Sequence, residues 1–276
     1  MEAAAMRRTL TTVGIAAGLL LASVAAPTAE AGPTGKLRFA DTFDTPVAKG
    51  RFTDCGHYVD TPKAYCGGLT GSMRANWWAY PKGWPDTATQ RRYPVGGVYD
   101  PASTVWISGG QMHIRMWRGP SGPVHSAAVV PKKLMAQRYG RYEERFRVSK
   151  VAVGYKSAHL LWPVVNETCP DCEIDFPESE WTEDIHAFTH PKGGGKQDAF
   201  DTNRSWGAWR TSVIEWSPGE VKYFLDGRLV GRSTRGIPDK PMSWIIQNEA
   251  ALNGDQARTN SSAQMDIAYV KGWTWG

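Results

Sequence analysis

Breaks in the sequence recur about every ten residues over most of the chain, and that spacing limits the fold more than any other feature. Residues 104–117 read TVWISGGQMHIRMW, two alternating runs that meet at Gly109-Gly110, and a Gly-Gly pair between such runs is a two-residue hairpin signal. Arg141 to Val148, Ala158 to Trp162, Glu173 to Phe176 and Ile185 to His190 follow, each bounded by Gly, Pro or polar clusters. Thr211 to Trp216 and Val221 to Leu225 are joined by Ser217-Pro-Gly-Glu220, and Asp226-Gly227 makes a tight turn before Arg228 to Val230. Trp244 to Glu249 and Met265 to Trp273 complete the series, and only Pro131 to Gln137 suggests a short helical turn. The 29 Gly and 18 Pro among 276 residues follow no period, which excludes collagen and disfavours a helical bundle. The pattern predicts one all-β domain, a sandwich or barrel, with no repeat or linker.

The first 31 residues are set apart from that domain. Arg7 and Arg8 precede a run of fourteen mostly apolar residues, Val13 to Ala26, and Ala29-Glu30-Ala31 has the small-residue pattern of a cleavage site. Residues 1–31 therefore read as a secretory signal peptide, leaving 32–276 as the mature chain, secreted and extracellular. No later run is apolar enough to span a bilayer, so no membrane attachment is expected of the mature form. The formal charge of +5 is scattered along the chain and does not point to nucleic acid.

Export also changes how the four cysteines read, because an oxidising compartment favours disulfides. Four cysteines allow three pairings. Cys55 and Cys66 bracket a polar loop and Cys169-Pro-Asp-Cys172 contains a turn, which favours two local pairs over a long-range cross-link. A redox C-x-x-C usually opens a helix, whereas Cys172 runs into a strand-like segment, and no metal site is expected.

The chemistry concentrates in Cys172-Glu-Ile-Asp-Phe-Pro-Glu-Ser-Glu-Trp181. Side chains alternate along a strand, so Glu173 and Asp175 share one face and Ile174 and Phe176 the other. Glu178 joins the acidic face only if a bulge inserts one residue, and Pro177, which cannot donate to a ladder, gives a reason for one. Two glutamates on that face can bring their carboxyls to roughly 5 to 6 Å, the separation used by retaining glycosidases. Glu173 would attack the anomeric carbon, Glu178 would serve as acid and then base, and Asp175 would tune the nucleophile. Three crowded carboxylates should retain at least one proton near neutral pH, the proton that the acid needs. Taken alone, a bare E-x-D-x-x-E reads first as a solvated acidic strand.

The surrounding segments favour the catalytic reading. In order along residues 37–275 stand Tyr139-Gly-Arg-Tyr-Glu143, Trp162-Pro163, Glu173-Ile-Asp-Phe-Pro-Glu178, Phe188-Thr-His190, Ile214-Glu-Trp216, Tyr223-Phe-Leu-Asp-Gly227, Pro241-Met242 and Met265-Asp-Ile-Ala-Tyr-Val270. This ordered set resembles glycoside hydrolase family 16, of the laminarinase and agarase type with the bulged motif. The resemblance implies a β-jelly roll of two curved antiparallel sheets, the concanavalin A-like fold, and retaining endo-hydrolysis of a β-linked polysaccharide. It also implies that Glu173, Asp175 and Glu178 are nucleophile, helper and acid/base. A neutral β-glucan such as laminarin or lichenan is preferred, with galactans open. No cofactor is expected, a structural calcium is left open, and a monomer is expected. The family usually has Trp where this chain has Leu160, and often Asn where it has Gln247.

Strand phase supplies further substrate-binding candidates. His186, Phe188 and His190 share one face of their strand, and the resemblance sets His190 near the scissile bond. Gln247 and Glu249 lie on one face of theirs and could bind sugar hydroxyls. Of the 13 Trp, Trp162 and Trp181 are candidates for sugar stacking, while Trp216 and Trp244 read as core. Trp77, Trp78, Tyr80 and Trp84 form an aromatic stretch too polar and broken for a core strand, suited either to a cleft rim or to covering the sandwich edge beside the first disulfide. The rival readings are a lectin on the same sandwich and a transglycosylase using the same residues. Serine, zinc and nucleotide hydrolases lack their motifs here.

Overall fold

Buried and exposed side chains alternate along Gly140–Lys150, Asp184–His190 and Glu220–Leu225, the period of strands with one face on a core. The computed structural model describes residues 35–165, 169–170 and 172–276; the segment 1–31, expected to be a signal peptide, and Asp171 of the second cysteine loop lie outside them. The strands are Leu37–Asp41 (β1), Trp77–Ala79 (β2), Gly97–Tyr99 (β3), Val105–Ser108 (β4), Gln111–Arg118 (β5) and Val124–Pro131 (β6). Gly140–Lys150 (β7), Tyr155–Pro163 (β8), Glu173–Glu180 (β9), Asp184–His190 (β10) and Asp198–Ser205 (β11) come next. Arg210–Ser217 (β12), Glu220–Leu225 (β13), Arg228–Ser233 (β14), Met242–Ala250 (β15) and Ser261–Thr274 (β16) complete the set. Short helices occupy Gly71–Asn76 (α1), Thr87–Gln90 (α2) and Pro101–Thr104 (α3), and the expected helical turn appears as a 3-10 turn at Lys132–Leu134.

One sheet runs β11-β10-β9-β8-β15-β6, the other β5-β16-β7-β12-β13-β14, and a short β5–β6 pairing at Trp117 and Arg118 connects them. Their pairings are antiparallel except β3 on β6. Between the sheets lie Tyr142, Phe146, Ile174, Phe176, Trp206, Tyr223 and the two tryptophans expected there, Trp216 and Trp244. The all-β jelly-roll expectation therefore holds.

Five strands escape the sequence reading for identifiable reasons. In β6 (VHSAAVVP) seven of eight residues are buried, so no alternation is visible. β11 (DAFDTNRS) is an exposed polar edge, and β1, β2 and β3 are too short or irregular to show a period. The aromatic stretch also corrects an expectation, since Trp77 and Trp78 form a short core strand and both are fully buried. Their indole N–H groups find acceptors there, Trp77 on Asp41 Oδ2 at 2.7 Å and Trp78 on the Cys55 carbonyl at 2.8 Å. Both local disulfides form, Cys55–Cys66 and Cys169–Cys172.

Residues 42–104, between β1 and β4, are largely irregular and are organised from within by buried Asp86. Its carboxylate accepts from the N–H groups of Thr89, Gly97 and Ala250 at 2.8 to 2.9 Å, joining α2, β3 and β15. Gly97 is required at that junction because a Cβ there would meet Asp86 Oδ2 at 2.2 Å.

Candidate active site

The bulge expected from Pro177 is present. Ala158 of β8 pairs with Glu178 and Leu160 with Asp175, while on the other side His186 of β10 pairs with Glu178 and Phe188 with Asp175. Three steps of β9 thus match two steps of both neighbours, and Phe176-Pro177 is a cis peptide. The extra residue returns Glu178 to the face of Glu173 and Asp175, while Ile174, Phe176 and Ser179 are buried.

The three carboxyls differ in surroundings. Asp175 is 1% exposed, and burial, reinforced by the charges of Glu173 and Glu178, raises its pKa well above the ordinary value. Burial, then the charge of Glu178, pushes Glu173 up to about 7. His190 Nε2 stands 3.5 Å from Asp175 Oδ2 and 3.9 Å from Glu173 Oε2. Glu178 instead accepts a hydrogen bond from Lys156 Nζ at 2.9 Å. Burial thus favours the protonated forms of Glu173 and Asp175, while Glu178 is paired with a lysine.

Lys156 is the buried cation of the cleft that sequence reasoning missed. Its phase along β8, two before Ala158 and four before Leu160, assigns it to the cleft face, a signal available in the sequence. Burial works against its charge, yet Glu178 and Glu249 outweigh burial and hold its pKa above that of an ordinary lysine. Glu249 lies 3.7 Å from Lys156 Nζ, is 1% exposed, and accepts from the Thr87 N–H at 3.0 Å. Burial raises its pKa and Lys156 opposes that rise. Glu249 is thus corrected from sugar ligand to buried partner of Lys156, because its oxygens are already engaged.

The remaining candidates divide. Gln247 is partly exposed and aligned with Ala158 and Ala128, in the row of Glu178. His186, Phe188 and His190 keep one partly exposed face while Ile185, Ala187 and Thr189 are buried; His186 stacks on Phe188. Trp162 is partly exposed and lines a hollow with Asp60, Trp78, Tyr80, Ser243 and Ile245. Trp181 is 2% exposed and donates its indole N–H to Ser157 Oγ at 2.8 Å, so it is a core residue, corrected from sugar platform. Among the described residues one group of three ligand-type side chains converges, Glu173, Asp175 and His190, and all three belong to this site.

No family model matches the chain. A β-glucanase of Acetivibrio thermocellus is 29% identical over 147 residues, which is 50% of this chain and 42% of the relative's length. Among solved structures, a LamA variant of Zobellia galactanivorans in complex with laminaritriose and laminaritetraose superposes with a TM-score of 0.64 at 18% identity, covering 87% of this chain and 99% of that one. A variant of SCLam, described as a non-specific endo-β-1,3(4)-glucanase from family GH16, gives 0.62 at 18% identity over 87% and 95%. The resemblance carried by the sequence motifs is thereby matched in three dimensions: the fold of this chain is that of the glycoside hydrolase family 16 β-glucanases.

Proposed function

We propose that the chain is an exported member of glycoside hydrolase family 16, a retaining endo-hydrolase of β-linked glucan. The observation that carries this reading is the β9 bulge, which gathers Glu173, Asp175 and Glu178 on one face. Glu173 attacks the anomeric carbon while Glu178 protonates the departing oxygen; Glu178 then deprotonates the water that releases the sugar. Asp175, whose pKa burial holds well above the ordinary value, stands beside Glu173 as the group that tunes the nucleophile. Two carboxyls suffice for this chemistry, so the reading calls on no cofactor, and all of them come from one strand, so it calls on no second subunit. Trp162 and the adjoining hollow offer a stacking surface for a neighbouring sugar, with Gln247 and His190 as hydroxyl partners. The names of the β-glucanase relative and of SCLam favour a β-glucan, laminarin or lichenan, over galactans. Both disulfides suit an oxidising compartment, in keeping with a signal peptide over residues 1–31.

The deciding experiment is product analysis on laminarin, lichenan, agarose, carrageenan and hyaluronan, with proton NMR early in the reaction. Wild type should release oligosaccharides whose new reducing ends are β, and Glu173→Gln should bind polymer without cleaving it. An α-anomer appearing first would overturn the retaining mechanism. Binding without product across the panel would favour the lectin, and transfer to added sugar acceptors the transglycosylase.

A further inference from the structure

The two-step reaction makes no use of Lys156, yet this is the cation paired with its acid/base. Lys156 Nζ lies 2.9 Å from Glu178 Oε1 and 3.7 Å from Glu249 Oε1, and the lysine and Glu249 side chains are only 7% and 1% exposed. A cation so deeply buried requires paired anions, and two flank it. Glu249 is itself fixed from outside the sheet, by the Thr87 N–H at the start of α2, while the neighbouring Ala250 N–H is held by Asp86. A continuous path of polar contacts therefore runs from α2 through β15 and β8 to β9 and ends on one oxygen of Glu178. That contact restricts the carboxyl's rotation and occupies one oxygen, leaving the other to carry the reacting proton.

We propose that Lys156 is a positioning residue for Glu178: oriented by Glu249, it fixes the acid/base carboxyl and sets the pH at which that carboxyl gives up its proton. The inference rests on the hydrolase reading. The charged and titratable groups around Glu178 are Lys156 from β8, which contacts it, Glu173 and Asp175 from β9 itself, Glu249 from β15 on the far side of Lys156, His186 of β10, paired with it in register, and His190 of β10 beside Glu173 and Asp175. Lys156, in contact with Glu178 and Glu249, supplies the compensating positive charge. Removing that charge makes the proton harder to lose; removing the Glu249 charge leaves Lys156 undivided on Glu178 and makes it easier to lose.

The test is the pH dependence of kcat/KM on the polymer the wild type cleaves, for Lys156→Met and Glu249→Gln, each checked by circular dichroism and thermal melting. The basic limb should move up by about 1 to 3 pH units in Lys156→Met and down, by less, in Glu249→Gln. A merely structural role lowers activity without moving either limb, and that result, or shifts of the same sign in both variants, overturns the proposal. If Lys156→Met does not fold, Glu249→Gln decides alone, a downward shift supporting and an unmoved limb refuting. A wild type that cleaves nothing overturns the hydrolase reading itself, which separates that failure from this one.

Discussion

Glu173 occupies a site that resists ionisation, and that resistance has a measurable consequence for stability. Its pKa is raised from the ordinary 4.5 to about 7 by burial and the charge of Glu178. A raised carboxyl gives the folded state a relative advantage that is complete below the unfolded pKa and disappears as pH rises through the folded one. Wild type therefore loses stability between about pH 4.5 and 7 from this group, and Glu173→Gln does not. The variant should melt higher than wild type at pH 8, by about 3 kcal/mol or roughly 9 °C, and the difference should close toward pH 4. A difference independent of pH would show that the amide acts through packing instead of charge. The Glu173, Asp175 and Glu178 set was legible because it depends on phase within one strand and one bulge. For Lys156 only the phase was legible, since its importance lies in the carboxylates that β9 and β15 bring to it from distant sequence. Trp181 misled because closeness to the motif in sequence is not closeness to the cleft: it follows the last residue of β9 and turns inward to Ser157.

Between elements, the sandwich carries a polar link through its core. Glu144 of β7 and His159 of β8 are both fully buried and meet at 2.5 Å, Nδ1 to Oε1, with Ser212 of β12 donating to the same carboxylate oxygen at 3.4 Å. Period-two alternation already places Glu144 on the inner face with Tyr142, Phe146 and Val148, so the sequence shows a buried acid and hides its partner. The structure supplies that partner from the strand that also carries Lys156 on its opposite face. Breaking a buried pair from one side leaves an uncompensated group, so Glu144→Ala should cost about 3 to 5 kcal/mol. The double change Glu144→Met with His159→Leu should lie far closer to wild type, because neither group is then stranded. Denaturant unfolding of Glu144→Met, His159→Leu and the double change measures the coupling. Additive losses would mean that the contact contributes nothing as a pair.

Across the whole molecule, the sandwich was readable from its turn spacing, whereas the long segment between β1 and β4 was not, because chain held by a disulfide and by one buried aspartate has no period. That segment nevertheless walls the hollow beside the carboxylates: Asp60, Trp78 and Tyr80 come from it and Trp162, Ser243 and Ile245 from the sheet. The Cys55–Cys66 disulfide restrains the wall directly, since the Cys55 carbonyl accepts the Trp78 indole N–H. Its loop spans 11 residues, and closing a loop of that size is worth roughly 3 kcal/mol of denatured-state entropy. Replacing both cysteines by serine should therefore lower stability by about 2 to 3 kcal/mol. If the hollow receives the sugar chain as proposed, the same change should raise KM on the polymer while leaving kcat nearly intact, because the wall carries none of the reacting carboxyls. The Cys169–Cys172 disulfide, which ends immediately before Glu173, closes a span of only 3 residues, and its removal should cost less stability and act on kcat. Thermal melts and initial rates for the two double-serine variants separate these effects. An unchanged KM in a folded Cys55→Ser, Cys66→Ser protein would remove the hollow from the path of the substrate.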